Sequence, residues 1–428
     1  MQNKKYDLLI VGSGAGGATL ARELSRRGKR VLVLESGRRE QSVGTYRDSL
    51  RYYDRSRITK RPARSREGVV LWRAIMAGGS TVVTTGSATR CLQRELGAFG
   101  IHLDAEFAEA ESETKPAPIP EHLLSDASHA ILSAAKALGY QMERIPKFID
   151  VSKCQRCGQC TLGCVHGAKW SALSYLDEAI EHGTEVICNT RARRVVVDEG
   201  RARGVVATGP QGEIEYDSDT VILAAGGLGT PVILQTSGVE GAGEGLFADL
   251  YITTSGLIKG LHRTREPMTP LVDLEFRQSK GFILRCPYVV PRTTKHITIG
   301  SRTICLPTHR LVGIMVKVAD EPVGRVYPDG SVSKPVTDRD WMRLREGSSI
   351  AREMLVKAGA TPRFIVSSGP LAANLGGTAA IGRVVDQDLQ TAVEGLFVCD
   401  SSVLPAAPGM PPILTIIALA KRLARRLA

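Results

Sequence analysis

The stretch 6-YDLLIVGSGAGGATLARELSRRGKRVLVLE-35 decides the fold of this 428-residue chain. Its pattern predicts a strand, a glycine-rich turn, a helix and a second strand, in that order. In such a unit Gly12 makes the tight turn, Gly14 lets a pyrophosphate approach the backbone, and Gly17 lets the helix lie close to the strand. Glu35, at the end of the second strand, is placed to bind an adenosine ribose. The stretch therefore predicts an α/β, Rossmann-like dinucleotide-binding domain.

A second feature is the run CQRCGQCTLGC, which contains Cys154, Cys157, Cys160 and Cys164. Its C-x2-C-x2-C-x3-C spacing is that of the bacterial ferredoxin run and predicts an iron–sulfur cluster, with four irons rather than three. Zinc is the main alternative, although zinc motifs usually separate their cysteine pairs by a longer loop. Unligated thiols and a disulfide are further alternatives. The remaining cysteines are scattered singly and are predicted to be buried thiols: Cys91, Cys188, Cys286, Cys305 and Cys399.

Composition and charge limit the class of protein. With 43% hydrophobic residues, the chain can bury a large core and divide into two or three lobes. The net charge of +12 by itself indicates only attraction to acidic partners, and we expect no nucleic-acid partner. The apolar stretch 8–20 is interrupted by glycines and has no usual cleavage site. We therefore expect no membrane span or signal peptide, and a cytoplasmic location.

Basic residues concentrate in two places. The segment 47–66 interleaves them with tyrosines, and it is either a docking surface for an acidic electron-transfer partner or a solvated loop over the nucleotide, with the loop favoured. Four more cations lie at 421–426, where they are expected to complement the dipole of a final helix that packs its apolar face on the core.

The rest of the chain divides by its hydrophobic periodicity. Helical patterns cover 105–145, where prolines interrupt them, and 168–181. Further strands at 185–188, 193–197, 204–207 and 221–225 are expected to complete the sheet that begins with residues 6–11 and 30–34. Alternating runs at 281–285, 296–299 and 312–318 predict an antiparallel sheet, which would form a substrate lobe.

Four blocks in order carry a family resemblance: residues 12–35, AGGSTVVTTG at 77–86, VILAAGGLGTPVILQTSGV at 221–239, and the chain end from 384 to 428. Together they resemble the glucose–methanol–choline (GMC) family of FAD-dependent oxidoreductases. The resemblance implies an FAD-binding domain made of residues 1–150, 177–245 and 361–428, a smaller antiparallel-sheet substrate domain at 246–360, and a cysteine-rich cluster insert at 151–176. The residues that it assigns to FAD are Gly12, Gly14, Ala15, Gly17, Glu35, Gly78, Gly79, Ser80, Ala225, Gly226, Asp400 and Pro411.

The chain departs from the family at two positions. Family members generally place a histidine three residues before a Gly-Thr pair and a histidine or asparagine near the final helix, and both serve the substrate hydroxyl. The matching positions here are Asn374 and about Pro411. Asn374 can hold a substrate oxygen, but an amide has no pKa suited to taking a proton. Any base must then come from elsewhere, or the reaction needs none.

Three histidines elsewhere are weighed as alternatives. His166, His296 and His309 are each expected to make structural hydrogen bonds or face solvent. His166, two residues after the last cysteine of the run, has the further option of donating to a cluster sulfide. Lys169 and Trp170 are expected to pack around the insert.

These features predict an FAD-dependent dehydrogenase. It would oxidise a CH–OH group of a small alcohol-like or polyol-like substrate and pass electrons through the cluster to a protein or quinone acceptor rather than to oxygen. One alternative is a reductase of an activated C=C or C=O bond that is fed through the cluster. Another is a non-catalytic flavin and iron–sulfur subunit of a larger redox complex.

Overall fold

A five-stranded parallel sheet carries the nucleotide-binding stretch in this computed structural model, which describes residues 6–55, 62–261, 265–288 and 311–428. Its strands are β1 (Leu8–Val11), β2 (Val31–Leu34), β7 (Glu185–Ile187), β11 (Val221–Leu223) and β21 (Leu396–Val398). The strand order is β21-β11-β1-β2-β7. Every residue of the first four strands in that order is buried, as expected for a parallel sheet covered on both faces.

Ten helices lie among the described residues, and the first of them packs most tightly on the parallel sheet. The helices are α1 (Ala15–Ser25), α2 (Tyr46–Tyr52), α3 (Gln93–Gly97), α4 (Asp104–Thr114), α5 (Asp126–Ala137), α6 (Ala172–Glu181), α7 (Gly226–Thr236), α8 (Glu275–Lys280), α9 (Asp338–Lys357) and α10 (Ile413–Arg426). In α1, a Cβ added at Gly16 would lie 1.8 Å from the Cys399 oxygen, and one at Gly17 would lie 1.9 Å from the Gly12 oxygen. Only glycine permits this approach.

The expectation that residues 193–197 and 204–207 extend the parallel sheet is wrong. They belong to a separate antiparallel sheet formed by β8 (Arg191–Asp198), β9 (Arg201–Gly209) and β10 (Gly212–Asp217), in the order β10-β9-β8. Short connections between these strands allow antiparallel pairing, whereas parallel neighbours need a long crossover.

A second, larger sheet is antiparallel apart from one edge pair, and α5 and α9 pack against it. The domain limits 246–360 stay a prediction, and short strands from outside that range also pair in this sheet. Its strands are β3 (Val70–Leu71), β5 (Glu143–Arg144), β13 (Leu250–Leu257), β14 (Leu271–Asp273), β15 (Phe282–Tyr288), β16 (Leu311–Val318), β19 (Val366–Ser367) and β20 (Leu371–Ala372). Two small sheets contain β12 (Glu244–Leu246), β17 (Gly324–Val326) and β18 (Val332–Ser333), and β4 (Ala117–Pro118) with β6 (Pro146–Lys147).

The last helix is anchored by a buried lysine rather than only by its apolar face. Lys421 has a side chain that is 1% exposed, and its Nζ lies 2.8 to 2.9 Å from carboxylates of α1 and α4. These acids are Glu23, Glu109 and Glu113. The expectation that Lys421 complements the helix dipole is therefore incomplete, because its side chain also cross-links three helices.

Two further sequence expectations concern membranes and histidines. Among the helices that the structure describes, none is long and apolar enough to cross a membrane. The strand predicted at 296–299 and the residues His296 and His309 lie outside the described residues.

Candidate functional site

The glycine turn after β1 has the shape that the sequence predicts. Gly12 has φ +99°, and an added Cβ would lie 2.4 Å from the Ala224 oxygen, so a larger residue would push β1 from β11. At Gly14 an added Cβ would meet nothing within 4 Å. The turn is thus closed on its protein side and open at Gly14 and Ala15, where α1 begins and its first N–H groups are free for an anion.

Glu35 is buried and already has partners within the chain. Its carboxylate accepts hydrogen bonds from Ser13 N at 3.0 Å, Ser13 Oγ at 2.6 Å and Gly37 N at 2.7 Å. Ser36 Oγ donates a fourth, longer bond to the same carboxylate at 3.3 Å, so its four lone-pair positions are occupied and a ribose hydroxyl would replace the Ser36 bond. Glu35 therefore also orients the glycine turn, a role that the sequence reading did not anticipate.

A second glycine turn lies against the first. Gly78 N donates to Ser13 Oγ at 3.1 Å, and a Cβ added at Gly79 would lie 3.2 Å from Gly14 Cα. Gly78 and Gly79 both have positive φ, and the 3-10 helix Gly79–Val83 begins there. Ser13 thus connects Glu35 to the second glycine turn, which Ser80 follows directly.

Asp400 closes the same end of the parallel sheet, just after β21. Its buried carboxylate accepts hydrogen bonds from Gly226 N at 2.8 Å, Thr230 Oγ1 at 2.5 Å and Ser402 N at 2.7 Å. Burial raises the pKa of Asp400 above its ordinary value. Asp400 therefore fixes the turn at Ala225 and Gly226, and a Cβ added at Gly226 would meet nothing within 4 Å.

A cavity with an empty volume of about 860 Å³ lies between these turns and the large antiparallel sheet. Ser80, Asn374 and Pro411, which the sequence placed near the flavin and the substrate, all line it. We call it the substrate cavity. Its other lining residues are Tyr53, Trp72, Val83, Thr84, Thr85, Ser87, Thr161, Tyr251, Arg285, Tyr288, Met315, Lys317 and Ala373.

Asn374 belongs to a buried polar group that the sequence did not reveal. Asp249 Oδ2 accepts from Asn374 Nδ2 at 3.0 Å and lies 3.0 Å from Lys317 Nζ, while Gly409 N donates to Oδ1 at 2.8 Å. The side chains of Lys317 and Asp249 are 4% and 0% exposed. Burial lowers the pKa of Lys317 and raises that of Asp249, so the two values move toward each other.

Lys317 and Arg285 are site residues that sequence reasoning missed. Each is a charged residue inside a strand whose other residues are buried and mostly apolar, β16 and β15. Fully buried lysine and arginine are rare unless they have a partner or a function. A single charged residue inside an apolar run, as in LVGIMVKV and FILRCPY, could therefore have identified both positions from the sequence.

The four cysteines of the run line one cavity with an empty volume of about 340 Å³, called the cysteine cavity below. Cys157 is exposed and the other three are half-buried, and none forms a disulfide. Sulfurs bound to a single zinc at about 2.3 Å would lie about 3.8 Å apart. Among the described residues, which include the whole run, no three of these sulfurs lie within 4.8 Å of one another.

Burial and neighbouring thiols affect the charge state of this site. The pKa of Cys154 and that of Cys157 are raised, chiefly by burial and also by the other cysteines. Four thiolates held together need a compensating cation. His166 also lines the cysteine cavity and is exposed, so both of its predicted roles stay open.

The cysteine cavity adjoins both the substrate cavity and the second glycine turn. Thr161, next to Cys160, lines the substrate cavity, and its carbonyl accepts a hydrogen bond from the Tyr53 hydroxyl. Lys169 lines the cysteine cavity, and its Nζ donates to the carbonyls of Thr81 at 3.1 Å and Val82 at 2.8 Å. Lys169 therefore does more than pack around the insert, because it bonds to the 3-10 helix Gly79–Val83.

Trp170 and the basic segment behave as structural elements where the structure describes them. The Trp170 ring packs on Phe148 and Tyr175, with ring centroids 5.3 and 5.2 Å away. Arg51 of the segment 47–66 pairs with Glu40 at 2.8 Å and Asp48 at 3.0 Å. Whether the segment docks a partner stays a prediction.

The fold and site define a nucleotide-binding α/β protein with a cavity between its parallel sheet and an antiparallel sheet. Two family models described as GMC oxidoreductase match it, one over residues 6–250 and one over residues 322–420. The chain therefore belongs to the GMC oxidoreductase family. This confirms the predicted family and α/β fold and supports FAD as the cofactor, while the cysteine-rich insert stays a prediction.

Relatives and solved structures agree with this membership. An uncharacterised protein of Methanocaldococcus jannaschii is 30% identical over 99% of this chain and 100% of its own length. The long-chain-alcohol oxidase FAO3 of Arabidopsis thaliana is 23% identical over 99% of this chain and 68% of its own. Pyridoxine 4-oxidase from Mesorbium loti superposes with a TM-score of 0.76 at 16% identity, covering 98% of this chain and 99% of that one. At that identity the likeness concerns the fold alone.

Proposed function

We propose that this protein is an FAD-dependent dehydrogenase that oxidises a CH–OH group of a small organic substrate. In this proposal the electrons leave through an iron–sulfur cluster to a protein or quinone acceptor. The single observation that carries it is the adjacency of the cysteine cavity to the substrate cavity through Thr161 and to the second glycine turn through Lys169. A GMC oxidase named for long-chain alcohols among the relatives supports the substrate class.

The residues around the two glycine turns fit FAD. The open side of Gly14 and the start of α1 suit its pyrophosphate, and Glu35 would accept from the ribose in place of its long bond from Ser36. Gly226, whose backbone N–H is bonded to Asp400, is open on one side and would line the FAD site opposite Gly14. When bound, FAD supplies a two-electron acceptor that also passes single electrons.

The chain's own residues supply the proton chemistry in the substrate cavity. Asn374 lines the cavity and, with its amide nitrogen bonded to Asp249, is placed to hold a substrate oxygen. The Lys317–Asp249 pair is our candidate for taking the hydroxyl proton, because burial brings the two pKa values toward each other. Tyr251 and Tyr288, whose pKa values burial raises, are suited to donate hydrogen bonds rather than to act as bases.

The four cysteines fit a four-iron cluster better than zinc. Zinc motifs usually separate their cysteine pairs by a longer loop, and iron–sulfur clusters are held by cysteine thiolates at this spacing in the sequence. The buried Lys169 beside them would offset part of the thiolate charge. Exposed Cys157 marks the side from which an acceptor would approach.

Anaerobic purification followed by metal and cofactor analysis tests the proposal. We expect one FAD, and about four irons and four sulfides per chain. Cys157→Ala should lose iron, whereas the matched control Cys188→Ala, outside the cysteine cavity, should keep it. Zinc without sulfide, or equal iron in both variants, would contradict the electron route. Anaerobic addition of alcohols and polyols should bleach the flavin absorbance of the wild type.

The reverse reaction is a second candidate. Asn374 stands where relatives place a histidine, and an amide can hold the oxygen of a carbonyl substrate without acting as a base. A reductase would leave the flavin oxidised in the presence of every alcohol, and flavin reduced chemically would then be reoxidised by activated C=C or C=O compounds. Anaerobic addition of alcohols, followed by flavin absorbance, therefore distinguishes a dehydrogenase from a reductase.

A further inference from the structure

Arg285 of β15 is a buried cation in the wall of the substrate cavity, and it has unused hydrogen-bonding capacity. It is 3% exposed. Its Nη2 donates to hydroxyls of Thr85 at 3.1 Å and Thr269 at 2.9 Å, and also to Ser87. Its Nε is buried without a hydrogen-bond partner. Because Nε is enclosed by the chain, a ligand in the cavity would meet the other part of the guanidinium, which lines it.

No carboxylate of the chain neutralises Arg285. Within the described residues its partners are three neutral hydroxyls, and it forms no ion pair. The residues outside the described ranges, 1–5, 56–61, 262–264 and 289–310, contain no aspartate or glutamate. Burial lowers the pKa of Arg285 only to about 10, so the guanidinium is charged at neutral pH. The charge is therefore left for a ligand to balance.

A buried lysine lies behind the same Ser87 hydroxyl. Lys147 is 0% exposed, and its Nζ donates to Ser87 Oγ at 3.3 Å and to the carbonyls of Met268 at 2.7 Å and Thr269 at 3.3 Å. All three acceptors are neutral. Glu266 attracts Lys147 from a distance, but its carboxylate is bonded to Ser125 and Ser128. Burial, and then the charge of Arg285, lower the pKa of Lys147 well below its ordinary value, so the positive charge near Ser87 is carried by Arg285.

The register of the antiparallel sheet brings this positive charge next to the proton-accepting pair. Arg285 pairs with Met315 and Ile283 with Lys317, so Arg285 and Lys317 stand on one face of neighbouring strands. Diagonal neighbours of this kind lie about 7 to 8 Å apart, within reach of long side chains. One small molecule can therefore contact both.

We propose that the substrate is a hydroxy acid whose carboxylate binds Arg285 while its hydroxyl lies at Lys317 and Asn374. This inference rests on the proposed function, because it takes the cavity as the place of oxidation. A planar guanidinium binds a carboxylate through charge-assisted N–H donors, and the Arg285 side chain lines the cavity in which the carboxylate would lie. In the reaction the C–H hydride goes to FAD and the hydroxyl proton to the Lys317–Asp249 pair, giving the corresponding oxo acid with its carboxylate unchanged.

Binding of matched acids and alcohols tests the inference without turnover. The FAD-loaded protein would be titrated with gluconate against sorbitol and with glycerate against glycerol, following the flavin spectrum and the melting temperature. We expect at least one acid to bind about 100-fold more tightly than its neutral partner, a difference of about 2.7 kcal/mol. Equal affinities within a pair, or no binding of either acid, would overturn the inference.

Variants of Arg285 locate the effect. Arg285→Gln should reduce acid affinity about 100-fold and change the affinity for sorbitol or glycerol less than about threefold, and Arg285→Lys should restore part of the loss. Arg144→Gln, the same charge change at an exposed position of the same sheet, should alter neither. If Arg285→Gln shifts only the flavin reduction potential, the arginine serves the cofactor and the inference fails. If Arg285→Gln does not fold, the acid and alcohol affinities of Arg285→Lys and of the wild type still test the inference.

Failure of the inference and failure of the proposed function look different. A protein that binds FAD and is bleached by a neutral alcohol, but binds no acid, keeps the function and loses the hydroxy-acid substrate. A protein that binds no FAD loses the function itself.

Discussion

The Lys317–Asp249 pair offers the sharpest test of the site. Lys317→Met keeps most of the lysine's apolar stem but removes the only charge partner that Asp249 has within 4 Å among the described residues. Breaking a buried pair in this way costs about 3 to 5 kcal/mol of unfolding free energy. Asp249 keeps its bonds from Asn374 and Gly409, so we expect the lower end, about 3 kcal/mol.

The double variant Lys317→Met with Asp249→Asn should be more stable than the single variant, because it leaves no unpaired charge. The amide oxygen introduced at position 249 could still accept from Gly409, and the Asn374 amide can turn to present its oxygen. We expect recovery of about 1.5 kcal/mol or more in equilibrium urea denaturation. Lys280→Met, which breaks a surface pair with Glu346, is the matched control and should cost under about 1 kcal/mol.

The pH dependence has a definite sign. In Lys317→Met the folded-state pKa of Asp249 lies above its unfolded value of about 3.9, since burial raises it and the lysine no longer lowers it. The folded state then binds more protons between these two values, so stability falls as pH rises through that window. The deficit against wild type should thus be largest near neutral pH and shrink toward about pH 4.

Catalysis gives an independent readout of the same variant. Loss of a general base lowers the rate of substrate-driven flavin reduction by about 100-fold to 10,000-fold. If Lys317→Met costs no more than Lys280→Met, or if the double variant is no better than the single one, the buried pair does not exist as described. Unchanged flavin reduction would remove Lys317 from the proton transfer.

Three further outcomes are expected. Gly17→Ala should abolish FAD binding or folding, because its Cβ would lie 1.9 Å from the Gly12 oxygen; normal FAD content would contradict the tight turn. Lys421→Met should cost no more than about 3 kcal/mol, since Arg22 still pairs with Glu23 at 3.1 Å and Glu113 at 2.9 Å; a melting temperature within about 1 °C of wild type, with a cost below about 0.5 kcal/mol, would refute a role for Lys421 in joining the helices. Thr230→Val removes the 2.5 Å bond to Asp400 and should weaken FAD affinity about tenfold, measured by equilibrium dialysis; unchanged affinity would show that Asp400 does not depend on it.

Local patterns made the nucleotide-binding half predictable. The order of strand, glycines, helix, strand and Glu35 is contiguous in sequence, and the close approach at Gly17 follows from its contact with Gly12 inside that unit. The assignment of β8 and β9 to the wrong sheet has a physical cause. Alternating burial identifies a strand but does not say which neighbour it pairs with.

The substrate cavity depends on contacts between residues that are distant in sequence. Asn374 could be placed by resemblance, but its bond to Asp249 joins residues 125 positions apart. Lys317 and Arg285 face one cavity only because β15 and β16 pair in a register that sets Arg285 opposite Met315. Periodicity gives the faces of each strand separately and leaves that register open.

Thr161 lies between the cysteine cavity and the substrate cavity. It follows Cys160 directly, lines the substrate cavity, and is held by Tyr53, while Tyr52 bonds the next carbonyl, that of Leu162, at 2.5 Å. A cluster on the cysteines, if the protein holds the one proposed, would therefore help to shape the cavity in which the substrate binds. Substrate screens on protein without that cluster would then sample a different cavity, and grafting this loop between relatives would transfer selectivity.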